Sequence, residues 1–286
     1  DRMEGPFRRG VRVGPTRRQV EERVAEEGVL VGGNDGGGVD SKFIRACLDA
    51  NELGDGVLFC RLNRGKFVYN KSTAQWLCWS GHHWEIDKMN RALSAVESVV
   101  IAYLKEADAV KTEINDILSQ EASGACVDID ARPKKKAEMN PDARRLINLR
   151  KDLRDRAEDL RGIHRRSHCL EMAHTCENPL AIDGEEVDTK PYLLPCANGV
   201  LDLKTGDMRP GRPDDMLLKA CPVAWEGIDA PCPTWEQTVQ ELMSENETLC
   251  NFVQRFFGFA LIGEVSQSVF VIMTGQGRNG KSMLVN

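Results

Sequence analysis

The feature that most restricts the fold of this chain is a set of glycines, a lysine and a serine toward its C-terminal end. Gly275 is followed, after four other residues, by Gly280, and Lys281 and Ser282 come next. The apolar run 269–273 precedes them and has the length and composition of a buried parallel strand. Strand, glycine-rich loop and helix start, in this order, are typical of a phosphate-binding loop. The segment therefore predicts the beginning of an α/β nucleotide-binding domain.

The residue types of this loop have chemical reasons. Glycines lack a Cβ, so the backbone can turn tightly and direct its N–H groups at phosphate oxygens. Lys281 is expected to act as the catalytic residue by neutralising the β- and γ-phosphates, and the Ser282 hydroxyl is expected to bind Mg²⁺. The helix that begins near Lys281 adds the positive end of its dipole. The predicted cofactors are therefore ATP and Mg²⁺, and the predicted binding residues are Gly275, Gln276, Gly277, Arg278, Asn279, Gly280, Lys281 and Ser282.

Composition limits the class of protein. A chain of 286 residues with 41% hydrophobic and 29% charged residues is long enough for more than one folded domain. Its net charge of -6 excludes a uniformly basic protein that coats nucleic acid, but it does not exclude a local basic groove. The sequence has no apolar run long enough for a transmembrane helix, so no membrane partner is expected. The 10 cysteines include no C-x-x-C pair, which favours reduced thiols and a cytoplasmic location.

Changes in composition divide the chain into four predicted parts. Residues 1–40 are predicted to form a flexible linker or tail with a short helix over residues 17–27. The basic residues of this tail indicate a solvated segment, and weak contact with nucleic-acid phosphates is the alternative. Residues 41–180 are predicted to form a mainly helical domain, 181–231 a β-rich connector, and 232–286 the first part of a P-loop ATPase domain.

Three tryptophans lie close together in the helical domain. Short strands are predicted near residues 66–69, 75–79 and 83–86, with a turn at the Ser80-Gly81 pair. Aromatic side chains beside a glycine can stack on nucleic-acid bases. They more often fill a small core, and both interpretations stay open for Trp76, Trp79 and Trp84.

Two long helices are predicted to pack antiparallel in the same domain. The first is capped by Asp87 and ends near Gly124, and the second follows the N-cap Asn140 and Pro141 and runs to about Cys176. In the first helix, apolar residues recur at spacings of three and four, which predicts one continuous seam for a partner helix. The seam consists of Leu93, Val96, Val100, Tyr103, Ala107, Val110, Ile114 and Ile117.

The second helix has apolar residues on one side, including Ile163, and many charges on the other. The charged side favours a solvated face, with a DNA-facing surface as the alternative. Its basic residues are Arg144, Arg145, Arg150, Lys151, Arg154 and Arg156, and Lys134, Lys135 and Lys136 precede them in a predicted loop.

Histidines and cysteines cluster at the end of this second helix. Such side chains can bind zinc, but their spacing matches no standard zinc finger and the segment has helical character. A helix surface with buried cysteines is therefore favoured over a metal site. The residues concerned are His164, His168, Cys169, His174 and Cys176.

The last third of the chain carries turn and cap signals. Asn198-Gly199 between apolar stretches predicts a hairpin, and a second turn is predicted at residues 204–207. Capping boxes at residues 234–237 and 244–247 predict the starts of two helices. The second of these helices is strongly apolar and is predicted to end at Gly263.

The order of these motifs resembles the primase–helicases of phages, plasmids and large DNA viruses, whose motor belongs to helicase superfamily three. The loop form Gly-x-Gly-x-Asn-Gly-Lys-Ser, from Gly275 to Ser282, is typical of that group. The stretch NGVLDLKTG, residues 198–206, and the spacing W-x-x-W-x-G-x-x-W, residues 76–84, add independent support. The resemblance extends from about Phe43 to the last residue.

The resemblance implies a mixed α and β fold. A mainly α-helical helicase-associated domain with small β-hairpins would precede the truncated start of an α/β P-loop, AAA+-like ATPase domain. It implies an ATP-dependent replicative DNA helicase that forms a homo-hexamer on single-stranded or forked DNA in the host cytoplasm, with an attached or associated primase. No Walker B carboxylates, sensor residue or arginine finger follow the loop, so we expect the chain by itself to hydrolyse no ATP.

Two other function classes fit parts of the sequence. A P-loop phosphotransferase, such as a small-molecule kinase, would use the same loop, although such enzymes carry it near the start of a compact domain. A non-enzymatic DNA- or partner-binding module with a degenerate loop would depend on the tryptophans and the basic helix instead.

Overall fold

The fold is described from a computed structural model. The described residues are 39–121, 140–264 and 270–275, together with Gly280, Ser282 and Leu284. The predicted helix over residues 17–27 and the three lysines at 134–136 lie outside them.

Two compact units make up the described chain. The first contains the residues up to Tyr69 together with Asp87–Ala181, and the second contains Asn70–Ile86 together with the residues from Ile182 onward. Residues 70–86 are therefore grouped with the C-terminal part of the chain, whereas the sequence placed them in the helical domain. The predicted boundaries 41–180, 181–231 and 232–286 stay predictions.

Helices dominate the first unit, and small sheets accompany them in the chain as a whole, which confirms the predicted mixed α and β composition. No helix is predicted from the sequence between residues 41 and 63, so the first two helices are findings of the structure.

No helix in the described ranges has the length and apolar character needed to cross a bilayer. The elements are α1 (Ser41–Asp49), α2 (Asn51–Asn63), β1 (Phe67–Asn70), α3 (Arg91–Ala95), α4 (Glu97–Glu121), α5 (Pro141–Asp159) and α6 (Ile163–Ala173).

The two predicted capping residues, Asp87 and Asn140, both accept hydrogen bonds from the first N–H groups of a helix, although Asp87 lies three residues before Asn90, the N-cap position of the short helix α3. The Asp87 carboxylate accepts hydrogen bonds of 2.8 Å from the backbone N–H groups of Arg91 and Ala92. Asn140 Oδ1 accepts a bond of 2.8 Å from Asp142 N at the start of α5. Each cap satisfies N–H groups that have no partner within their helix.

The apolar seam of the first long helix is buried, but the helix is not continuous. A turn at Val96 separates α3 from α4, which corrects the prediction of one helix. Val96 N donates to Leu93 O, and Val99 N donates to Val96 O, and these three-residue bonds tighten the backbone into a 3₁₀ turn. The seam residues that are buried are Val96, Val100, Tyr103, Ala107, Val110 and Ile114.

The predicted antiparallel packing of α4 and α5 is confirmed. Ion pairs join the chain just after the end of α5 to the start of α4. Arg161 Nη2 lies 3.8 Å from Glu97 Oε1, and Arg166 Nη2 donates to the other oxygen of the same carboxylate. The end of one helix therefore lies beside the beginning of the other.

The prediction that the second long helix runs to Cys176 is wrong. α5 ends at Asp159 and α6 begins after Gly162. Arg161 N and Gly162 N donate to carbonyls three residues back, and glycine has a low helix propensity, which together account for the break. Ile163, predicted on the apolar side, is the first residue of α6 and is 58% exposed, so this part of the predicted apolar side is wrong.

A buried carboxylate joins α2 to the three helices around it. The Asp55 side chain is only 1% exposed, and its Oδ1 accepts hydrogen bonds from the Tyr103 hydroxyl at 2.8 Å and from Arg156 Nη1 at 3.0 Å. Its Oδ2 accepts from Arg165 Nε at 2.9 Å and lies 2.8 Å from Arg165 Nη2. Burial and the charge of Asp55 raise the pKa of the Tyr103 hydroxyl, which keeps it a hydrogen-bond donor.

The second unit contains two small antiparallel arrangements and two helices. The predicted strands over 75–79 and 83–86 are confirmed as a hairpin in which Trp79 lies opposite Trp84. The hairpin predicted at Asn198-Gly199 is also confirmed, and its two strands belong to a sheet of three strands that are paired in the order in which they occur in the chain. The elements are β2 (Gln75–Trp79), β3 (Trp84–Ile86), β4 (Ala181–Ile182, where the two units meet in sequence), β5 (Leu193–Cys196), β6 (Gly199–Asp202), β7 (Met208–Arg209), a 3₁₀ helix (Pro213–Asp215), α7 (Pro233–Leu242) and α8 (Glu247–Ala260).

The two capping boxes predicted for α7 and α8 are wrong in position. α7 begins one residue before Thr234, with proline in its first turn and no side-chain cap. α8 is capped by Asn246, whose Oδ1 accepts from Leu249 N at 3.1 Å. Ser244 cannot be the cap because it has a φ of 52°, in the left-handed turn that separates the two helices.

An ion-pair cluster around Asp215 predicts how the stability of the second unit depends on pH. Burial alone would raise the pKa of the Asp215 carboxyl, but hydrogen bonds from Arg209 at 2.7 and 2.9 Å and from Lys190 at 3.0 Å lower it to about 2. Because the pKa of Asp215 is lower in the folded state than its unfolded-state value near 3.8, the ionised carboxylate stabilises the fold at pH values above about 4. This stabilisation is lost as the pH falls from about 4 to about 2 and the carboxyl becomes protonated.

The measurement is a urea titration of tryptophan fluorescence at several pH values, because all five tryptophans belong to the second unit. Asp215→Asn is expected to lower the free energy of unfolding by about 2 kcal/mol at pH 7 and to weaken its fall between pH 4 and pH 2. Asp214→Asn is the matched control, because the Asp214 side chain is exposed. An unchanged acid profile in Asp215→Asn would contradict the assignment.

Candidate functional site

Described residues on both sides of the candidate nucleotide loop contact a small apolar cluster formed with α7 and α8. Val239 of α7, Val253 of α8 and Leu284 after the loop form the buried part of this cluster. Met273, which precedes the loop, packs against it. One cluster therefore brings together the residues before and after the predicted loop. Its other partly buried members are Leu242, Met243, Cys250 and Phe257.

Gly280 has a conformation that favours glycine. Its φ of 75° lies in the left-handed region, and a Cβ built on it would be 2.5 Å from Leu242 Cδ2. Leu284 N donates to Gly280 O at 3.0 Å, which forms a helical turn directly after the loop. Gly280 therefore lies at the start of a helical turn, and helix N-termini are positions that phosphate groups favour.

The other predicted nucleotide-binding residues fall into two groups. Gly275 and Ser282 are described, and Ser282 lies exposed in the helical turn. Gln276, Gly277, Arg278, Asn279 and Lys281 lie outside the described residues. The assignment of all eight residues to ATP and Mg²⁺ therefore stays a prediction.

The strand predicted over 269–273 is not formed in the described part of that range. Residues 270–273 have no strand structure, and Phe270 and Ile272 are 83% and 71% exposed, although the apolar pattern predicted burial. A parallel strand obtains its hydrogen bonds and its burial from neighbouring strands and helices. Within the described residues no other strand pairs with this segment, which accounts for its irregular backbone.

A pocket of about 330 Å³ lies between α8 and the segment before the loop. Phe252 and Phe256 of α8 contribute stacked rings with centroids 6.2 Å apart, and Val271 and Met273 line the pocket from the other segment. None of the described residues that line it is charged. The pocket therefore offers an apolar surface, and phosphate binding would depend on the loop itself.

The histidine and cysteine cluster is a helix surface with buried cysteine, as favoured from the sequence. His168 Nδ1 lies 3.2 Å from Glu52 Oε1, and the His174 ring stacks on Tyr69 with centroids 3.9 Å apart. Cys169 is buried. In the part of the chain that the structure describes, no three His, Cys, Asp or Glu side chains are grouped so as to hold a metal ion.

The tryptophan cluster contributes to the core of the second unit. Trp84 is 2% exposed, and its Nε1 donates to Pro213 O at 2.9 Å. Trp79 contacts it edge to face with ring centroids 5.3 Å apart. Trp84 is therefore a core residue, and its ring is too buried to stack on a nucleic-acid base. Trp76 and Trp79 are half-buried.

The basic residues of α5 do not form a uniformly basic face. Arg156 is 14% exposed and binds Asp55, which corrects its prediction as part of a solvated face. A groove of about 1000 Å³ between α1 and α5 is lined by residues of both charges. Phosphates entering it would therefore meet more carboxylates than guanidinium groups. The lining charges are Arg45, Arg145 and Arg156 against Asp49, Asp142, Asp152, Asp155 and Asp159.

Two residues with defined roles in the structure were missed by sequence reasoning. Leu242 places its terminal methyl group beside Gly280, yet a leucine in an amphipathic helix carries no signal of a distant contact. Asp55 lies between two glycines, and the sequence Gly-Asp-Gly is typical of a turn and not of a helix core. Only the contacts with distant helices identify either residue.

Comparison with known proteins places this arrangement in a family. The family model described as "D5 N terminal like" matches residues 56–244, which is more than half of the chain and includes parts of both units. A protein of Acanthamoeba polyphaga mimivirus named "Putative helicase L207/L206" is 30% identical over 101 residues.

That match covers 35% of this chain and 10% of the mimivirus protein. The chain therefore spans about a tenth of the length of this relative. The two similarities confirm the resemblance to the N-terminal domain of a viral or phage primase–helicase that the sequence motifs predict. The chain belongs to the D5 N-terminal-like family.

Proposed function

We propose that this chain is part of an ATP-dependent replicative DNA helicase of the primase–helicase type, and that the loop from Gly275 to Ser282 binds ATP with Mg²⁺. The observation that carries the proposal is the loop sequence itself, with its glycines, lysine and serine in the phosphate-binding order. The left-handed Gly280 and the helical turn to Leu284 support it. The family and the helicase name of the viral relative support the helicase class.

Each residue of the loop has a role in this proposal. The loop backbone donates N–H groups to phosphate oxygens, and Gly280 leaves room for the chain to turn beside Leu242. The Lys281 ammonium neutralises charge on the β- and γ-phosphates, and the Ser282 hydroxyl is one ligand for Mg²⁺. Mg²⁺, when bound, offsets the negative charge of the phosphates. The segment would thus form the start of an AAA+-like P-loop ATPase domain.

The proposal also includes partners. The expected ligand is single-stranded or forked DNA, the expected assembly is a homo-hexamer, and a primase would be attached or associated. The location would be the host cytoplasm. Leu249 and Phe252 of α8 are 46% and 50% exposed, and further elements of an ATPase domain would cover such an apolar surface.

The experiment that tests the proposal is a steady-state ATPase assay with and without single-stranded DNA, made on the longest protein that the gene encodes. DNA is expected to stimulate hydrolysis, and Lys281→Ala is expected to lower the rate by about 10²-fold or more, because a positioned cation is lost from the developing phosphate charge. Lys219→Ala is the matched control, since Lys219 is an exposed lysine of the same unit.

The other outcomes separate the alternatives. Hydrolysis that depends on Lys281 but not on DNA would favour a P-loop phosphotransferase. No hydrolysis by the unmodified protein would favour a non-enzymatic DNA- or partner-binding module. The 286-residue chain, assayed in parallel, is expected to give no hydrolysis, since it carries no carboxylate after Ser282.

A further inference from the structure

Two buried thiols of the first unit lie close together although they are far apart in sequence. Cys60 Sγ in α2 is 3.9 Å from Cys176 Sγ, which follows α6. Cys60 Sγ also lies 3.1 Å from the carbonyl oxygen of Ala173. The two cysteines are 4% and 8% exposed. Their sulfur atoms are thus held near each other by the fold, since no local sequence motif pairs them.

Contacts on both sides hold the two segments in this position. Arg64 Nη2, one turn after Cys60, donates to Asn178 O at 2.9 Å. Tyr69 N donates to Leu180 O at 2.8 Å. A disulfide requires a sulfur separation of about 2.05 Å, so the atoms must approach by roughly 2 Å. Rotation of the two side chains supplies a movement of this size more readily than displacement of the backbone.

The environment makes the two thiols unequal. The hydrogen-bonding contact with Cys60 lowers the pKa of the Cys176 thiol against the opposing effect of burial, and the Asn178 N–H and the Arg64 guanidinium also lower it. The hydrogen bond to Cys176 and burial raise the pKa of the Cys60 thiol. Of the two thiols, Cys176 is therefore the one that more readily forms a thiolate, and it attacks first.

We propose that Cys60 and Cys176 are a reversible dithiol–disulfide pair whose oxidant is a low-molecular-weight disulfide. The Cys176 thiolate attacks one sulfur of the reagent, forms a mixed disulfide and releases one thiolate. Cys60 then loses its proton to solvent and attacks Cys176 Sγ, which breaks the mixed disulfide and releases the second thiolate. The protein loses two protons and two electrons, and the reagent is reduced to two thiols.

The bond would fix α2 to the segment after α6. It would close a loop of 116 residues, the sequence separation of the two cysteines. Closing a long loop restricts the unfolded chain, so the oxidised form is expected to melt at a higher temperature, by on the order of 10 °C.

The test is incubation of the folded 286-residue chain with glutathione disulfide near neutral pH, followed by alkylation of the remaining thiols and peptide mapping by mass spectrometry. We expect a linked pair of peptides containing Cys60 and Cys176, a raised melting temperature, and reversal of both by dithiothreitol. Exposed Cys232 reports that the reagent is active, because it is expected to form a mixed disulfide.

Variants keep the test decisive. Cys176→Ser is expected to abolish the link and the rise in melting temperature, whereas Cys169→Ser, which alters another buried thiol of the same unit, is expected to retain both. Circular dichroism checks that each variant is folded. Modification of Cys232 without a Cys60–Cys176 link in the folded, unsubstituted chain would overturn the proposal, and so would a link that forms only after denaturation.

Discussion

The substitution Asp55→Ala is expected to lower the free energy of unfolding of the first unit by about 3 to 5 kcal/mol. The carboxylate is the common partner of the Tyr103 hydroxyl, Arg156 and Arg165, and its side chain is 1% exposed. Its removal takes away the carboxylate that lies 3.0 Å from Arg156, and it leaves Arg165 with the more exposed Glu52, which is 3.4 Å away. Removing one partner of a buried ion pair lowers the free energy of unfolding by more than an exposed ion pair contributes to it, because the charge that remains is still buried away from water.

Urea denaturation followed by far-ultraviolet circular dichroism measures this loss. Tryptophan fluorescence in the same titration reports on the second unit, where all five tryptophans lie. Asp155→Ala is the matched control: its partner Lys151 is 4.0 Å away and both are largely exposed, so a loss below about 0.5 kcal/mol is expected. Equal losses in the two variants would contradict a stabilising role for the Asp55 cluster.

The substitution Gly54→Ala is expected to destabilise the first unit by about 3 kcal/mol or more. A Cβ at Gly54 would lie 1.8 Å from the carbonyl oxygen of Cys47, so α1 and α2 could not keep their present contact. Backbone atoms cannot rotate away as a flexible side chain can. The helices would have to separate, which would expose apolar side chains that α1 and α2 bury between them.

The same circular dichroism titration measures this effect, and Gly258→Ala in α8 is its control. A Cβ at Gly258 meets no atom within 4 Å, and alanine is the better helix former. Gly258→Ala is therefore expected to be neutral or to stabilise its helix by up to about 1 kcal/mol. If Gly54→Ala were also neutral, the close approach of the first two helices would be wrong.

The Gly54 and Asp55 predictions concern a helix that the sequence does not predict. The stretch Leu-Gly-Asp-Gly, residues 53–56, has the composition of a turn, and glycine lowers the helix propensity of any segment. α2 packs closely against two other helices at positions where only glycine leaves enough room. Gly54 faces Cys47 of α1, and Gly56 faces Met172 of α6. Contacts with distant residues outweigh the local preference, and no pattern within the segment records them.

Elements with a local signal were predicted well. The hairpin at Asn198-Gly199 follows from a turn sequence between apolar stretches, and the cap at Asn140 follows from its position before a proline. The buried seam of α4 follows from apolar residues at helical spacing. Predictions that depended on where a helix stops were less accurate, because the break at Gly162 adds only a small local cost to a pattern that otherwise continues.

The order of the residues alone determined the loop motif from Gly275 to Ser282, the hairpins and the apolar faces of the long helices, because each depends on spacing over a few residues. The tertiary structure decided which groups meet: Asp55 with Arg156 and Arg165, Cys60 with Cys176, and Gly280 with Leu242. It also left residues 270–273 irregular, although their sequence is typical of a strand. The physical reason is the same in each case: hydrogen bonds, charge compensation and burial need partners, and these partners lie far away in the chain or on another element.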